Sequence, residues 1–379
     1  MEKKKIKDIG LVFTGSTPSK KNDSFYASND IPFIKPSDLS NNITTLSTAE
    51  NFISENARKV ARIIPPNSVL CTCIGIIGKV GINEVEATCN QQINYIIPNK
   101  NNVAEFIGYS LLSIRDELEE VGKDSPIVPI INKSTFENFE IPYYTKEKQI
   151  EIVNVLNNIS KAISLSKKQL LTLDELVKSR FIEMFGKYFE DKSRLVKVST
   201  LASATIGLTY KPENVSENGT IVLRSGNIQN AELYLEKDIV RVSNVKIKED
   251  KYVRENDILM CSRNGSAKLV GKCCRIPKLD EPMTYGAFMT VIRSIYPYFL
   301  NGFFNSTYFT QQLTGTQTAS VNQITTGMLN NYDVICPTKD EENEFAKFVK
   351  LIDKSKFIVQ QQIKDLEELL DSKMDEYFR

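Results

Sequence analysis

The stretch FEIPYYTKEKQIEIVNVLNNISKAISLSKKQLLTLDELVKSRFIEMF, residues 139–185, recurs 193 positions later as YDVICPTKDEENEFAKFVKLIDKSKFIVQQQIKDLEELLDSKMDEYF, residues 332–378. Conservative pairs such as Leu156 with Val349 follow this shift. The following pairs are identical at the same shift: Thr145/Thr338, Lys146/Lys339, Glu151/Glu344, Ile159/Ile352, Lys161/Lys354, Gln169/Gln362, Leu173/Leu366, Glu175/Glu368, Leu176/Leu369, Ser179/Ser372 and Phe185/Phe378. Self-similarity at a fixed shift indicates an internal duplication.

Each copy carries apolar residues at alternating spacings of three and four, which is the pattern of a coiled-coil seam. Thr145 and Thr338 suit helix N-caps, and acidic residues follow them. We predict one helix of about 40 residues in each copy and antiparallel pairing of the two helices. The alternative is that each helix lies on its own domain. The predicted seam consists of Leu156, Ile159, Ile163, Leu170, Leu173, Val177, Val349, Ile352, Val359, Ile363, Leu366 and Leu370.

Weaker similarity precedes both helices at slightly smaller shifts, with Gly15 and Thr17 aligned on Gly207 and Thr209. These upstream segments read as short strands separated by Gly-rich and polar turns, with helices around 104–120 and 297–313. The sequence therefore predicts an α+β fold, in which two globular mixed α/β domains with β cores are separated by a long antiparallel two-helix coiled coil in a pseudo-two-fold internal repeat. The predicted segments are a first domain at 1–145, a first spacer helix at 146–186, a second domain at 187–338 and a second spacer helix at 339–379.

The composition excludes much catalytic chemistry. The 379 residues include no histidine, so pairs of Ser or Cys with His, His metal ligands and imidazole bases are absent. The seven cysteines lack paired CxxC spacing, and we expect reduced, largely buried thiols and no metal. The acidic pair Glu341/Glu342 is predicted to lie on a solvated helix face. We identify no catalytic residues.

The chain has 48 Lys and Arg residues against 47 Asp and Glu residues. The four predicted segments carry net charges of −2, +2, +4 and −3 in chain order. No apolar stretch approaches the length of a membrane span and the N-terminus lacks a signal-peptide pattern, so we expect a soluble cytoplasmic protein. A protein that binds duplex DNA alone usually has a strongly basic surface, and this near-neutral chain does not predict one.

Four motifs bear a family resemblance: IKDIGLVFTGSTPS (6–19), FIKPSDL (33–39), FEIPYYTKEKQIEIVNVLNNI (139–159) and LDELVKSRFIEMFG (173–186). With the tandem order of domain and helix, the chain resembles, over essentially its whole length, the DNA specificity subunit of type I restriction-modification systems. In the second half, the Thr-Pro pair of the opening motif becomes Thr209-Tyr210.

The resemblance implies that each variable domain, called a target-recognition domain, reads one half of a bipartite site in double-stranded DNA. It implies that the helices set the spacing and bind two copies of the methyltransferase subunit. S-adenosylmethionine then belongs to that partner, and this chain is non-catalytic and holds no cofactor. Whether a restriction subunit also joins is left open. The alternative function is a non-catalytic protein-interaction scaffold with two binding domains spaced by a coiled coil.

Polar and basic residues of the turns are the candidate DNA contacts. Arg224 and Arg263 suit a guanine edge, and Gln91 and Asn264 suit adenine. Each of them could also be an ordinary solvated loop residue. The full set is Thr17, Ser19, Lys20, Lys21, Lys35, Ser37, Thr72, Lys79, Asn90 and Gln91 in the first domain, and Thr209, Tyr210, Lys211, Arg224, Asn227, Ser262, Arg263, Asn264, Ser266 and Tyr285 in the second.

For the partner subunits, the outward faces of the helices and the aromatic helix ends are the candidate contacts. The alternative for these rings is packing against the adjacent domain. The aromatic residues concerned are Phe181, Phe185, Tyr377 and Phe378.

Overall fold

The computed structural model describes residues 2–123, 127–316 and 322–379. The chain divides into two compact units, one of Met1–Ser166 with Gln362–Arg379 and one of Lys167–Gln361. Each unit contains a β-rich body and one segment of each of two long helices. Within the described ranges, no helix is both long and apolar enough to cross a membrane.

The first part of the chain alternates short strands with short helices before a long helix begins. Single 3-10 turns occupy Asp23–Tyr26, Pro36–Asp38 and Glu55–Ala57. The strands and α-helices, in chain order, are β1 (Glu2–Lys5), α1 (Ile6–Ile9), β2 (Gly10–Thr14), β3 (Ile31–Ile34), β4 (Thr44–Leu46), β5 (Phe52–Ile53), β6 (Val69–Thr72), β7 (Val80–Asn83), β8 (Thr88–Cys89), β9 (Ile93–Pro98), α2 (Ala104–Ser113), α3 (Arg115–Gly122), α4 (Lys133–Phe136), β10 (Glu140–Tyr143) and α5 (Lys146–Glu190).

The main sheet of the first unit has the order β2-β9-β6-β7-β4, and a smaller sheet has the order β5-β3-β8. Strands β6 and β7 are buried along their whole length, as expected for apolar runs covered on both faces. Helix α2 packs against β6 and β7. Strand β1 pairs with β10 just before α5 begins, which fastens the start of the domain to the base of the helix.

The second part of the chain repeats this arrangement. Its 3-10 turns lie at Pro212–Asn214, Ser225–Asn227, Glu249–Lys251 and Ala267–Leu269. The strands and α-helices are β11 (Leu195–Lys197), α6 (Val198–Leu201), β12 (Ala202–Ile206), β13 (Val215–Ser216), β14 (Thr220–Leu223), β15 (Ile228–Gln229), β16 (Glu232–Leu233), β17 (Arg241–Val242), β18 (Ile258–Cys261), β19 (Cys273–Arg275), β20 (Met283–Tyr285), β21 (Met289–Ser294), α7 (Pro297–Phe304), α8 (Thr307–Thr316), α9 (Thr326–Asn331), β22 (Asp333–Ile335) and α10 (Lys339–Phe378).

Sheet topology confirms the predicted duplication. The order β12-β21-β18-β19 in the second unit repeats β2-β9-β6-β7 of the first. The parallel pair β14–β20 repeats the parallel pair β3–β8, and β11–β22 repeats β1–β10. The predicted α+β class with two β-cored domains is therefore confirmed.

In the first unit, the start of α5 lies beside the end of α10. Ile152 and Leu156 of α5 share an apolar cluster with Phe378 of α10 and Phe106 of α2. The rings of Phe106 and Phe378 are 5.4 Å apart between centroids. Because early residues of one helix meet late residues of the other, the two segments are antiparallel.

In the second unit, the end of α5 lies beside the start of α10. Phe181 and Phe345 are 5.8 Å apart between ring centroids, and Arg180 of α5 forms an ion pair with Glu344 of α10. Further along α10, Lys356 forms an ion pair with Asp174 of α5. These contacts also run antiparallel, so the predicted helix pairing is found in each unit.

The predicted seam residues face inward to different degrees. Leu156, Ile159, Ile163, Val349, Ile352, Val359 and Ile363 are buried. The others, Leu170, Leu173, Val177, Leu366 and Leu370, are half-buried.

Two helices predicted as single elements are each interrupted. The helix expected around 104–120 divides into α2 and α3 at Ile114, whose backbone leaves the helical region at φ −101° and ψ 15°. The helix expected around 297–313 divides into α7 and α8 after Asn305. The side chain of Asn305 donates a hydrogen bond to the backbone oxygen of Asn301 at 2.9 Å. Local side-chain hydrogen bonds of this kind compete with continuation of the helix.

The acidic pair at the start of α10 is not a solvated face, contrary to the sequence prediction. Glu342 is buried, and its carboxylate accepts hydrogen bonds from the backbone N–H groups of Tyr298 at 3.0 Å and Phe299 at 2.9 Å. These groups lie at the start of α7, where helix N–H donors lack partners within the helix. Burial raises the pKa of Glu342 despite these hydrogen bonds.

Glu341 secures the start of α10. Thr338 Oγ1 accepts from the backbone N–H of Glu341 at 3.2 Å, and the Glu341 carboxylate accepts from the backbone N–H of Thr338 at 2.7 Å. This reciprocal capping box confirms Thr338 as an N-cap. Arg194 donates to both carboxylate oxygens of Glu341, at 2.9 and 2.6 Å. The hydrogen bonds from Arg194 are the main cause that lowers the pKa of Glu341 to about 2.

Two equivalent glycines permit the chain to pass close to another backbone segment. A Cβ atom at Gly15 would overlap the carbonyl oxygens of Cys89 and Asn90. A Cβ atom at Gly207 would overlap the carbonyl oxygens of Tyr285 and Gly286. Since carbonyl oxygens of a strand end cannot swing aside as a side chain can, only glycine fits at these two positions.

We predict that Gly207→Ala destabilises the second unit by on the order of 2–3 kcal/mol, because the added methyl group must displace backbone atoms. Urea unfolding monitored by circular dichroism measures the loss. Gly265→Ala is the matched control, since a Cβ atom there has no neighbouring atom within 4 Å. Equal stability of the two variants would contradict the assigned close approach.

The Glu341 contacts predict a pH dependence. The pKa of Glu341 in the folded protein is about 2, against an ordinary value of 4.5, so between these values the unfolded chain binds more protons and stability rises with pH. We expect Glu341→Gln to lower stability by about 1–2 kcal/mol at pH 7. The deficit should shrink as pH falls from about 5 towards 2. Urea midpoints at pH 7, 5 and 3.5 test this, with the exposed Glu368→Gln as control. A deficit independent of pH would contradict the assignment.

Candidate nucleic-acid interface

In the first unit, the loop after β2 and the loop before β9 lie against each other. The backbone N–H of Gly15 donates to the carbonyl oxygen of Ile93 at 2.9 Å. Two residues further, Thr17 Oγ1 donates to Gln91 Oε1 at 2.7 Å. Thr17 and Gln91 are both exposed. The fold therefore brings these two predicted DNA contacts together at one end of the sheet.

The loop after β3 joins the same surface. The backbone N–H of Asn90 donates to the carbonyl oxygen of Ile34, the last residue of β3, at 3.2 Å. The ammonium group of Lys35 donates to Asn51 Oδ1 at 2.7 Å, and that of Lys79 reaches the carbonyl oxygen of Pro36 at 3.5 Å. Lys35 and Lys79 are half-buried, so each retains a solvated part.

Two of the predicted contacts in this unit hold the loops from inside. Thr72 is buried, and its Oγ1 accepts from the backbone N–H of Lys79 at 3.0 Å. Asn90 is buried, and its Oδ1 accepts from the backbone N–H of Gln92 at 3.1 Å. The remaining predicted residues are exposed on the same loops, namely Ser19, Lys20, Lys21 and Ser37.

In the second unit, the corresponding loops surround a cavity of about 600 Å³. Two guanidinium groups, a carboxylate and two aromatic rings line it together with backbone atoms. Four of the predicted DNA contacts are among the lining residues: Thr209, Tyr210, Arg224 and Arg263. This mixture offers hydrogen-bond donors and flat apolar faces within one recess.

Neighbouring side chains fix the walls of this cavity. A guanidinium nitrogen of Arg224 donates to the backbone oxygen of Asp238 at 3.2 Å. Asn264 Nδ2 donates to Ser225 Oγ at 3.2 Å. The backbone N–H of Ser266 donates to Asn264 Oδ1 at 2.9 Å. Asn264 and Ser266 therefore belong to the same surface as the cavity.

Tyr285 and Asn227 are buried and support the loops. The hydroxyl groups of Tyr285 and Thr205 share a hydrogen bond of 2.6 Å, and burial raises the pKa of Tyr285. Asn227 Oδ1 accepts from the backbone N–H of Arg224 at 2.9 Å. Both side chains thus position the residues that face solvent.

The two other predicted residues of this unit differ in exposure. Lys211 is exposed and forms an ion pair with Glu213 at 3.3 Å. Ser262 is buried, and its hydroxyl donates to the backbone oxygen of Phe288 at 3.0 Å. Lys211 remains free to exchange this solvated partner for a phosphate, since exposed pairs contribute little.

Sequence reasoning missed three residues of this interface. Phe288 lines the cavity with 60% of its surface exposed, and the signal available was a phenylalanine in a Gly-Ala turn between two strands. Gln323 accepts a hydrogen bond from Arg263 Nε at 3.0 Å, although 60 residues separate them. Gln92 is half-buried beside Asn90, and its Oε1 accepts from Asn90 Nδ2 at 2.7 Å.

The aromatic helix ends pack inside the units. Phe181 and Phe185 belong to the core of the second unit, and Phe378 to that of the first. Tyr377 is half-buried, and its backbone oxygen accepts from the hydroxyl group of Tyr144 at 3.0 Å. For the three buried phenylalanines the predicted partner contact is therefore wrong and the packing alternative is correct, whereas for Tyr377 the partner contact stays a prediction.

Neither a metal site nor an exposed thiol is found in the described parts of the chain. Among the described residues, no group of three or more Cys, Asp and Glu side chains could hold a metal. The cysteines are unpaired; Cys336 is half-buried and the others are buried. Burial raises the pKa of Cys274 to about 12, and such a thiol is a poor nucleophile at neutral pH.

Residues 1–175 match the family described as the type I restriction modification DNA specificity domain. The MjaIX specificity subunit of a type I restriction enzyme from Methanocaldococcus jannaschii is 36% identical over 193 residues, which are 50% of this chain and 43% of that protein. The HindI specificity subunit from Haemophilus influenzae is 31% identical over 188 residues, which are 48% of this chain and 40% of that protein. The chain thus spans about two fifths of the length of these relatives.

Solved structures extend the likeness of the fold to the whole chain. The S subunit of the type I restriction-modification system from M. genitalium matches with a TM-score of 0.57 at 14% identity, covering 100% of this chain and 96% of that one. A chain from a structure concerned with complex assembly and conformational transition of the type I R-M system matches with a TM-score of 0.60 at 11% identity, covering 99% and 97%. The first part of the chain is thus similar in sequence to the type I restriction modification DNA specificity domain, and the whole chain is similar in fold to a solved S subunit of a type I restriction-modification system.

Proposed function

We propose that this chain is the sequence-specific DNA recognition subunit of a type I restriction-modification complex. Each target-recognition domain reads one half of a bipartite site in double-stranded DNA. The two long helices set the spacing and dock two methyltransferase subunits, which bind S-adenosylmethionine and perform the methyl transfer. The domain limits proposed are those of the sequence analysis, 1–145 and 187–338, with spacer helices at 146–186 and 339–379.

The observation that carries this proposal is the pair of equivalent loop clusters. Both clusters lie on the same strand order, and both depend on an equivalent glycine, Gly15 or Gly207. Their exposed side chains differ: Thr17 and Gln91 in the first, Arg224 and Arg263 in the second. A shared frame with different polar loops suits two readers of different base sequences.

The exposed and half-buried members of the predicted set are the proposed DNA contacts. Thr72, Asn90, Asn227, Ser262 and Tyr285 are buried, and we assign them to holding the loops. The lysines are assigned to phosphates, which fix orientation without reading sequence, and the arginines and amides to base edges.

Charge supports a dependence on partners. The chain has a net charge of +1, whereas affinity for a duplex comes largely from neutralised phosphates. We therefore assign most phosphate contacts to the methyltransferase subunits. Tight binding requires the assembled complex.

Exposed apolar side chains support a duplicated docking surface on the helices. Leu165 of α5 and Ile358 of α10 occupy equivalent positions, and each is 57% exposed. Leu176 and Leu369 are also equivalent, at 45% and 43% exposed. Each of these apolar positions therefore occurs once in each unit. Two copies of one apolar face suit two copies of one partner.

The central experiment mixes the full chain with a methyltransferase subunit, S-adenosylmethionine and a random-sequence DNA library. We expect adenine methylation only in the complete mixture, at one split motif, and weak DNA binding by the chain alone in gel shifts. Methylation without a motif, or none in a mixture that assembles, would favour the scaffold alternative. Tight site-specific binding by the chain alone would contradict the assignment of phosphate contacts to the partner.

The docking surface predicts a change in stoichiometry. We expect Leu369→Asp to remove one of the two methyltransferase subunits, because it places a charge within one apolar contact. Native mass spectrometry of the assembled complex measures the subunit count. Leu171→Asp is the control, since Leu171 is exposed but the equivalent position is Lys364. Two bound subunits with Leu369→Asp, or equal loss with both variants, would refute this surface.

A further inference from the structure

Equivalent backbone hydrogen bonds hold the loops before β9 and before β21. In the first unit, the N–H of Cys73 donates to the carbonyl oxygen of Gln92 at 2.8 Å. In the second unit, the N–H of Ser262 donates to the carbonyl oxygen of Phe288 at 2.9 Å. Gln92 and Phe288 each immediately precede the strand concerned. They therefore occupy the same position of the duplicated frame.

A second set of bonds aligns two more positions. Ile131 N–H donates to the carbonyl oxygen of Cys73 at 2.8 Å, and Ile324 N–H donates to that of Ser262 at 2.8 Å. Beside these bonds, isolated antiparallel bridges join two further residues in each unit. The bridged pairs are Ile74 with Ile130 and Arg263 with Gln323. The frame thus equates Ile74 with Arg263, Gln92 with Phe288, and Ile130 with Gln323.

In the second unit, the residues at two of these positions, Gln323 and Phe288, hold the guanidinium group of Arg263. Gln323 Oε1 accepts from Arg263 Nε at 3.0 Å and also from its Nη2. The guanidinium carbon of Arg263 lies 5.9 Å from the centroid of the Phe288 ring, within the range of a cation–π contact. Arg263 is itself exposed at the cavity.

Phe288 is exposed yet firmly anchored. Its carbonyl oxygen accepts from the N–H and the hydroxyl of Ser262, at 2.9 and 3.0 Å, and from the N–H of Arg263 at 3.1 Å. These three hydrogen bonds fix the backbone of Phe288 at the cavity wall, so the position of its ring relative to Arg263 is set by the fold. The ring face is already directed to the guanidinium that it supports.

We infer that Phe288 and Gln323 are specificity-determining positioning residues, which hold Arg263 for bidentate recognition of one guanine in the second half-site. This inference rests on the proposed function. With Gln323 taking Nε and one Nη2 proton, the Nη1 and remaining Nη2 protons form the fork that fits guanine O6 and N7. Holding the fork in place before binding reduces the entropy lost on contact.

The equivalent positions of the first domain suit a different base pair. Ile74 and Ile130 supply no hydrogen bonds from their side chains, and Ile130 is exposed. Gln92 supplies an amide, which matches the donor and acceptor of an adenine edge, while an isoleucine suits the thymine methyl group. The same three frame positions therefore direct the first domain to an A·T pair and the second to a G·C pair.

The test uses the full chain assembled with its methyltransferase subunit, and maps methylated motifs on a random-sequence library. We expect Arg263→Ala to abolish the preference for guanine at one position of the second half-site, and Phe288→Leu and Gln323→Leu to reduce it about tenfold. Phe288→Tyr keeps the ring and should retain the preference. Gln92→Ala should relax one A·T position in the first half-site and leave the second unchanged.

The bipartite motif supplies its own control. Because the unaltered half-site must still be read, its retention reports folding, assembly and methyl transfer in every variant. If the wild-type complex methylates no split motif, the proposed function fails. If it does, but Phe288→Leu or Gln323→Leu leaves the guanine preference intact, or Phe288→Tyr loses it as fully as Phe288→Leu, the positioning inference fails while the proposed function stands.

Discussion

Both loop clusters depend on one steric constraint. The chain leaving β2 passes close to the end of β8, and the chain leaving β12 passes close to the end of β20. Gly15 and Gly207 lie at this passage, each against two carbonyl oxygens. The passage lets the loop after β2 reach Gln91 and the loop after β12 reach the cavity. Side chains on the loops can vary without disturbing the passage, because backbone atoms alone define it. That separation between a fixed frame and free side chains is what allows one duplicated fold to present two different surfaces.

The two long helices also share a repeated pattern of buried residues, and they differ at one buried position. Lys356 occupies a seam position of α10 that the repeat equates with Ile163 of α5, and both are buried. Burial lowers the pKa of Lys356, but Asp174 and Glu232 outweigh it, so the net shift is upward and the ammonium stays charged. A single charged seam residue with dedicated partners fixes register at some cost in stability. The link from Lys356 to Glu232, at 3.0 Å, also ties the helix to the β15–β16 hairpin of the same unit.

Much of this architecture follows from periodicity and repetition. The 193-residue shift predicted the duplication, the helices and the N-cap at Thr338 because these features are encoded by local spacing. The helix breaks at Ile114 and Asn305 were not predicted, because a periodic pattern displays neither the backbone angles of Ile114 nor the side-chain hydrogen bond of Asn305. The burial of Glu342 was not predicted either, because the start of α7, which its carboxylate caps, lies more than 40 residues earlier in the chain.

At the loop clusters, the sequence indicated the right residue types but did not distinguish the exposed residues, which are the proposed DNA contacts, from the buried residues that hold the loops. Tyr285 and Asn227 are polar like Tyr210 and Arg224, but Tyr285 is buried in a strand and Asn227 is buried at the end of a 3-10 turn. The contact between Arg263 and Gln323 joins loops from distant parts of the chain. The isolated bridge between them, repeated at Ile74 and Ile130, and the backbone hydrogen bonds beside it show the equivalence of these positions.

The net charge of the chain affects how strongly general attraction to DNA would contribute to its binding. A recognition subunit that neutralised many phosphates by itself would hold every duplex tightly, and its small differences between base edges would be a minor part of the total affinity. Under the proposed function, a chain with a net charge of +1 leaves that general attraction to its partners and supplies the discriminating contacts. Pre-oriented groups such as the guanidinium of Arg263 are then advantageous, because each contact must select a base with little non-specific affinity behind it. On this proposal, weak DNA binding by the chain alone and rigid positioning of its base contacts both follow from leaving the phosphate contacts to the partner subunits.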